Sequence, residues 1–294
     1  MNYNLSLEEM INKVFDRIDH ANDQLHDNTT RMYLFSGNIG TGKSTLCNKL
    51  SNLYNATIVN KDSLLESMSG CYGKYDSNKV EIYKNVENCI VEECLKNKQS
   101  VIIDRLNHSK EERKRFIDIA KKYNIEVITY DFGSGTEESL ERRIKGNRGV
   151  PKRVWVEVHN TIKDSYETPE IEEGILEVRK PPEQKNIKYI AFDFDNTIVE
   201  SGEYPKFNKL NERIVKLINK LYSKLNFVVI LWTCRSGDEL NEAITYMRNH
   251  NIYFDFYNEN PHFNTGSNKI FANAYIDDRG LSLLELYKIL DDNK

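Results

Sequence analysis

Cysteine is scarce in this sequence, and it is not paired at metal-binding spacings. The chain has five cysteines, Cys47, Cys71, Cys89, Cys94 and Cys234. An odd number without such spacings is poorly suited to a disulfide framework or a zinc site. This usage is typical of a reducing compartment and predicts a cytoplasmic protein. Cys89 and Cys94 fall in a predicted helix, where packing is the ordinary role of a free cysteine.

Long apolar runs and an excess of basic residues are also lacking. No stretch approaches the ~18 apolar residues of a membrane span, and the N-terminus has no apolar signal-peptide core. We therefore expect a soluble protein without a membrane partner. With 41 Lys and Arg against 45 Asp and Glu, the net charge is −4. This balance argues against a globally basic nucleic-acid coat, so any contact with nucleic acid should be local.

The sequence does contain a glycine-rich loop between a predicted strand and a predicted helix. Residues 37–44 fill the pattern G-x-x-x-x-G-K-[ST] after the apolar segment 32–36. In that context the pattern predicts backbone N–H groups wrapped around phosphate at a helix N-terminus. It indicates ATP as the ligand, with Lys43 on the outer phosphates and the Ser44 hydroxyl on Mg²⁺. The residues predicted to contact the nucleotide are Gly37, Asn38, Gly40, Thr41, Gly42, Lys43, Ser44 and Thr45.

Strand and helix patterns alternate twice along the 294 residues, a length comfortable for two domains. Residues 1–30 have apolar positions at helical spacing and predict an amphipathic extension, which either packs on the next domain or docks a partner. Residues 31–167 and 187–294 each predict an α/β domain with a parallel sheet. Residues 168–186 are charged and contain three of the six prolines, which predicts a linker.

Two carboxylates follow predicted strands of the first domain, where ligands of parallel sheets bind. We favour Asp62 as the general base for an incoming hydroxyl, with the N-cap of the next helix as the alternative role of an Asp at this position. Asp104 either supports Mg²⁺ or substrate, or is only the polar end of a buried strand. The residues leave both alternatives open.

A basic segment follows between Arg142 and Arg153, with six Lys and Arg residues and no acidic one. A solvated helix end could have the same composition. We favour a lid over the triphosphate, because a planar guanidinium matches phosphate oxygens. Arg143 or Arg148 would then touch the γ-phosphate.

These motifs resemble the kinase domain of phage-type polynucleotide kinase/phosphatases over about residues 31–167. The resemblance implies that Asp62 activates a 5′-hydroxyl and that Arg143 clamps the donor phosphates. One position departs from the family: Leu65 stands where an Arg holds the acceptor's 3′-phosphate. The shared elements are the G-x-x-x-x-G-K-S-T loop, Asn60-x-Asp62, Val-Ile-Ile-Asp104-x-x-Asn107 and the basic lid.

In the second domain, polar residues recur where predicted strands end: Asp193-x-Asp195-x-Thr197, then Thr233, Lys269 and Asp277-Asp278. They resemble the motifs of the haloacid-dehalogenase superfamily of phosphohydrolases, with Asn196 in place of the usual Gly. The resemblance implies an aspartyl-phosphate on Asp193 and acid–base chemistry at Asp195. It also implies phosphoryl contacts from Thr233, Lys269 and, more loosely, Arg235. The Mg²⁺ ligands would come from Asp193, Asp195, Asp277 and Asp278.

The spacing of these motifs leaves no room for a cap domain, and an open site suits a bulky phosphate ester. The resulting fold prediction is a P-loop α/β domain followed by a capless Rossmann-like α/β domain. The main functional hypothesis is an enzyme that heals RNA or DNA ends, with a ligase as a partner in the same pathway. The alternatives are a kinase/phosphatase of a small nucleoside or sugar phosphate, and a nucleotide-gated binding protein.

Overall fold

The computed structural model describes residues 29–70, 77–146, 149–183, 186–202, 204–259 and 270–280. The predicted extension, residues 1–30, lies almost entirely outside these ranges. The described residues fall into two compact units that divide between Pro181 and Pro182. No described helix is long and apolar enough to cross a bilayer.

The first unit is built around a five-stranded parallel sheet in the order β2-β3-β1-β4-β5. This order brings the carboxyl ends of β1, β2 and β3 side by side, with Asn60 opposite Asp104 and Phe35 opposite Asp104. The strands are β1 (Arg31–Ser36), β2 (Thr57–Asn60), β3 (Val101–Asp104), β4 (Glu126–Asp131) and β5 (Glu177–Arg179). The helices are α1 (Lys43–Tyr54), α2 (Lys61–Ser69), α3 (Val80–Lys96), α4 (Lys110–Lys122), α5 (Glu137–Lys145) and α6 (Lys152–Asp164).

Apolar side chains on one face of this sheet pack against α3 and α4. Met32, Leu34 and Ile103 from the strands meet Val91 and Phe116 from the helices, and all five are buried. Residues in successive strands of a parallel sheet are covered on both faces, which explains the nearly unbroken apolar runs in β1 and β3. The core therefore fixes the strand ends from which the polar side chains project.

The prediction that residues 168–186 form a linker is wrong in part, because some of these residues belong to the first sheet. Strand β5 lies within residues 168–186 and pairs in parallel with β4. A buried arginine ties the preceding segment down: Arg113 donates to both carboxylate oxygens of Glu173, at 2.8 and 2.7 Å, and to the Glu167 carbonyl at 2.8 Å. The charged composition predicted a linker, but the ion pair between Arg113 and Glu173 is buried inside the unit.

The second unit contains a four-stranded parallel sheet in the order β10-β9-β6-β11. A two-stranded antiparallel hairpin, β7–β8, follows β6 along the chain. The strands are β6 (Lys188–Phe192), β7 (Val199–Ser201), β8 (Phe207–Leu210), β9 (Phe227–Leu231), β10 (Phe256–Tyr257) and β11 (Ala274–Ile276), and the helices are α7 (Glu212–Tyr222) and α8 (Gly237–Asn249).

The spacing of apolar residues predicts a helix over about residues 208–225, and hairpin β7–β8 corrects the first part of that prediction. The helix begins only at Glu212, where the Asn211 side chain accepts the N–H of Ile214. Residues 207–210 pair with β7 instead, and Phe207 packs edge-on against Phe194 at 5.2 Å between ring centroids. Tertiary contact with an aromatic ring outweighs a continuous helical pattern at this point.

Candidate active sites of the two units

The glycine-rich loop of the first unit is held in shape by the buried side chain of Asn38. Its amide nitrogen donates to the carbonyl oxygens of Ser134 and His159, at 2.6 and 2.8 Å. Its amide oxygen accepts the N–H of Ile39 at 2.7 Å. The loop is thus tied to the segment after β4 and to α6 before any ligand binds.

Two glycines of the loop are required for different reasons. A Cβ on Gly40 would lie 1.9 Å from the carbonyl oxygen of Ser139, so the loop packs directly on the first turn of α5. Gly42 has a φ of 97°, and a Cβ there would meet nothing within 4 Å. The loop is therefore closely packed at Gly40 and open at Gly42, where α1 begins.

The Lys43 side chain is folded onto the loop itself. Its ammonium donates to the carbonyl oxygens of Gly37 at 2.8 Å and Asn38 at 2.5 Å, and the residue is 8% exposed. Burial lowers the pKa of Lys43 to about 8, and the charge of Arg143 acts in the same direction, whereas Asp104 and Asp62 oppose it. A buried cation with a second cation nearby favours an anionic ligand.

Asp104 connects the loop with the neighbouring strand. Its Oδ2 accepts from the Ser44 hydroxyl at 2.9 Å and from the Asn60 amide at 2.8 Å. The carboxylate is therefore more than a polar strand end, since it contacts the serine of the loop. A hydroxyl and a carboxylate in contact are hard oxygen donors that suit Mg²⁺.

Asp62 lies in the first turn of α2 and is exposed. The cap of this helix is Asn60, whose side chain accepts the N–H of Ser63 at 2.8 Å. The alternative of Asp62 as the N-cap is therefore wrong. The charge of its carboxylate raises the pKa of Lys43 slightly, against the larger effect of burial.

The basic segment forms the end of α5, a connection, and α6. Ile39 of the loop, Leu140 of α5 and Trp155 of α6 form one buried apolar cluster. The guanidinium of Arg143 lies over the Trp155 ring, 4.1 Å from its centroid. The two helices are therefore packed on the glycine-rich loop, and Arg143 projects from that contact. Arg148 lies outside the described residues.

Three carboxylates of the second unit converge at the carboxyl ends of β6 and β11. Ligand oxygens of Asp193, Asp277 and Asp278 all lie within 4.8 Å of one another. Burial raises the pKa of Asp193 to about 6, and the charges of Asp277, Asp195 and Asp278 raise it too, against a hydrogen bond from the Phe194 backbone. Such a group fits a divalent cation, because a cation would offset the repulsion among the carboxylates.

Asp195 is held separately by Arg235. The arginine donates to both carboxylate oxygens, at 2.9 and 2.7 Å, and to the Pro205 carbonyl at 2.9 Å. Its side chain is fully buried among the rings of Phe194, Tyr204 and Phe207. The predicted phosphate contact of Arg235 and the predicted metal bond of Asp195 stay predictions, and in this structure the two side chains are hydrogen-bonded to each other.

The loop after β9 is fixed by Asn258. Its side-chain oxygen accepts the N–H of Thr233 at 2.8 Å, and its nitrogen donates to the Arg235 carbonyl at 3.1 Å. Thr233 follows β9, which pairs directly with β6, so it lies at the same sheet edge as Asp193. Lys269 lies outside the described residues.

Comparison with known proteins shows what the first unit is similar to. Residues 32–169 match the family model of an AAA domain. The bifunctional polynucleotide phosphatase/kinase of Schizosaccharomyces pombe is 31% identical over 128 residues, which are 42% of this chain and 30% of that protein. The L-seryl-tRNA(Sec) kinase of Methanococcus maripaludis is 23% identical over 207 residues, 63% of this chain and 75% of that protein.

Residues 32–169 are therefore similar to an AAA domain, and we call this unit the P-loop domain after its motif at residues 37–44. The matched segment spans less than a third of the S. pombe protein. Among solved structures, a chain of the Pnkp1/Rnl/Hen1 RNA repair complex is 17% identical, with 92% of this chain and 87% of that chain covered and a TM-score of 0.40. The P-loop is the segment Gly37–Ser44.

The structure brings together predicted residues from three segments of the P-loop domain: Lys43 and Ser44, Asp104, and Arg143. The charge of Asp62 acts on Lys43 as well. Sequence reasoning missed the roles of Asn38 and Trp155. The sequence signal for Trp155 was weak, since an aromatic residue in an amphipathic helix usually indicates core packing.

We predict that ATP affinity falls as the pH rises through the pKa of Lys43. That pKa is lowered to about 8, so below this pH the ammonium is charged and can bind phosphate. Above it, affinity should fall by about tenfold per pH unit until the pKa in the complex is reached. Calorimetric titration with ATP at several pH values measures this effect. Lys43→Met should bind weakly at every pH, and a wild-type affinity that is constant across the range would contradict the assignment.

We also predict that Mg²⁺ stabilises the second unit without nucleotide, and does so more at neutral than at acid pH. The raised pKa of Asp193 means that the folded unit retains a proton up to about pH 6. Without a cation, stability therefore falls as the pH rises through this range, and Mg²⁺ should replace the proton. Calorimetric melting should show a rise of several degrees near pH 7.5 and a smaller one near pH 5.

Asp277→Asn should remove the Mg²⁺ effect, and Asp238→Asn, an exposed position on α8, should retain it. An equal Mg²⁺ shift in wild type and Asp277→Asn would show that the cation binds elsewhere.

Proposed function

We propose that the chain is a bifunctional enzyme that heals nucleic-acid ends, an ATP-dependent 5′-hydroxyl kinase joined to a 3′-phosphatase. The observation that carries the kinase part is the Ser44–Asp104 hydrogen bond beside the buried Lys43 ammonium, with Arg143 next to Gly40 of the loop. The charge of Asp62 also acts on Lys43. Phosphoryl transfer needs positive charge around the transferred group and a base for the acceptor. These side chains can supply both.

In the kinase reaction, the acceptor hydroxyl attacks the γ-phosphorus of ATP while Asp62 accepts its proton. The bond between the γ-phosphorus and the bridging oxygen breaks, and ADP leaves with the electron pair. Lys43 and Arg143 stabilise the charge on the phosphate oxygens. Mg²⁺, held by Ser44 and Asp104, would add positive charge next to the phosphates.

The acceptor is the less constrained part of the proposal. The S. pombe relative, a polynucleotide phosphatase/kinase, supports a polynucleotide end. Leu65 on α2 offers no positive charge to a phosphate on the acceptor. The uncharged side chain at this position favours the second candidate, a kinase/phosphatase of a small nucleoside or sugar phosphate. The relative named as a seryl-tRNA kinase also supports a hydroxyl acceptor other than a polynucleotide end.

In the second unit we propose a 3′-phosphatase that acts through Asp193. Its carboxylate would attack the phosphorus of the monoester, and the ester oxygen would leave with a proton from Asp195. Water would then release phosphate from the aspartyl-phosphate and give its proton back to Asp195. Arg235 orients Asp195 through two hydrogen bonds. Mg²⁺ between Asp193, Asp277 and Asp278 would neutralise phosphate charge, and Thr233 and Lys269 remain proposed phosphate ligands.

Transfer of labelled phosphate from ATP to a 5′-OH oligonucleotide tests the kinase. We expect transfer by the wild type and a loss of about 10²- to 10⁴-fold in Asp62→Asn, because a positioned general base contributes that much. The matched control is Asp118→Asn, at an exposed position on α4, which should retain full activity. Transfer to free nucleosides but not to the oligonucleotide would favour the second candidate.

Phosphate release from a 3′-phosphorylated oligonucleotide tests the phosphatase. Asp193→Asn should reduce release by at least about 10³-fold, since an amide cannot form the covalent intermediate. Kinase activity in the same preparation should be unchanged, which controls for folding. Asp238→Asn should keep both activities, and phosphate release by Asp193→Asn at the wild-type rate would exclude this mechanism.

A further inference from the structure

Trp155 of α6 packs against both the P-loop and helix α5. It is 8% exposed and packs with Ile39 of the loop and Leu140 of α5. Its ring also lies under the guanidinium of Arg143, at 4.1 Å from the centroid to Cζ. At this distance a guanidinium over an indole face is attracted to the ring quadrupole.

The environment of the indole nitrogen indicates that Trp155 does more than fill an apolar cluster. Buried tryptophans usually find an acceptor for their N–H group. Within the described residues, Nε1 of Trp155 is buried and has no hydrogen-bond partner. A purely apolar side chain would avoid that cost, so filling the Ile39–Leu140 cluster alone does not explain a tryptophan.

Arg143 is the cation that stacks on the Trp155 ring. Its positive charge lowers the pKa of the Lys43 ammonium. Its Cβ would be 3.3 Å from a Cβ on Gly40, so its backbone lies next to the loop. Two cations beside an unliganded phosphate loop repel each other. The aromatic face of Trp155 holds one of these cations next to the loop.

We propose that Trp155 is a positioning residue that holds the Arg143 guanidinium beside the P-loop, ready to contact the γ-phosphate before ATP arrives. The inference rests on the proposed kinase function for the role of Arg143, and it adds the residue through which that arginine is preorganised. It makes discrimination between ATP and ADP depend on an aromatic ring outside the phosphate-binding motif.

The test is the ratio of the dissociation constants of ADP and β,γ-imido ATP, measured by calorimetry with the full chain. Trp155→Leu should reduce the preference for the triphosphate about tenfold, the size expected for a partly desolvated cation–π contact. Trp155→Phe should keep it within about threefold. Arg143→Gln should lose the same preference, and Trp155→Leu should then cause no further loss in the Arg143→Gln background.

Leu140→Ala is the matched control for packing, because it removes apolar contact from the same cluster. It should lower the melting temperature but keep the preference for the triphosphate. A loss in Leu140→Ala equal to that in Trp155→Leu, or additive losses in the Trp155→Leu/Arg143→Gln double variant, would overturn the proposal. If Trp155→Leu does not fold, the Phe variant decides: folded Trp155→Phe without the preference also overturns it.

The nucleotide measurement needs no acceptor. Failure to phosphorylate an oligonucleotide would therefore contradict the proposed function and leave the result for Trp155 standing. Conversely, a triphosphate preference that is insensitive to Trp155 would overturn this inference even in an active kinase.

Discussion

The buried ammonium of Lys43 is the constraint around which the P-loop domain is arranged. It bonds to two carbonyl oxygens of its own loop, so the loop keeps its curvature without a ligand. The negative charges of Asp104 and Asp62 stabilise the charged ammonium, whereas the positive charge of Arg143 destabilises it. A buried cation with a second cation nearby suits an anionic ligand.

Both units place their candidate chemistry at the carboxyl edge of a parallel sheet. In the P-loop domain, β1, β2 and β3 end beside one another, so residues 36, 60 and 104 lie at the same sheet edge. In the second unit, β6 lies between β9 and β11, so Asp193 lies between Thr233 and Asp277. Parallel strands all point the same way, and their polar ends therefore accumulate at one edge. Opposite phosphate chemistries can be built on the same geometry.

Much of this arrangement could be predicted because the relevant signals are local. The P-loop pattern, the alternation of strands and helices, and carboxylates after apolar runs depend on neighbouring residues. The errors came from long-range contacts. Strand β5 joins the sheet through β4, and residues 207–210 pair with β7 rather than extend a helix. Composition and periodicity carry no information about these partners.

The sequence by itself determined the phosphate loop, the α/β character of both halves and the candidate carboxylates, because each follows from residue type and short spacing. The tertiary structure decided which groups meet. It assigned the cap of α2 to Asn60 instead of Asp62, bound Arg235 to Asp195, and put Trp155 beneath Arg143. These pairings depend on the directions of side chains brought together by folding, and a linear pattern does not specify such directions.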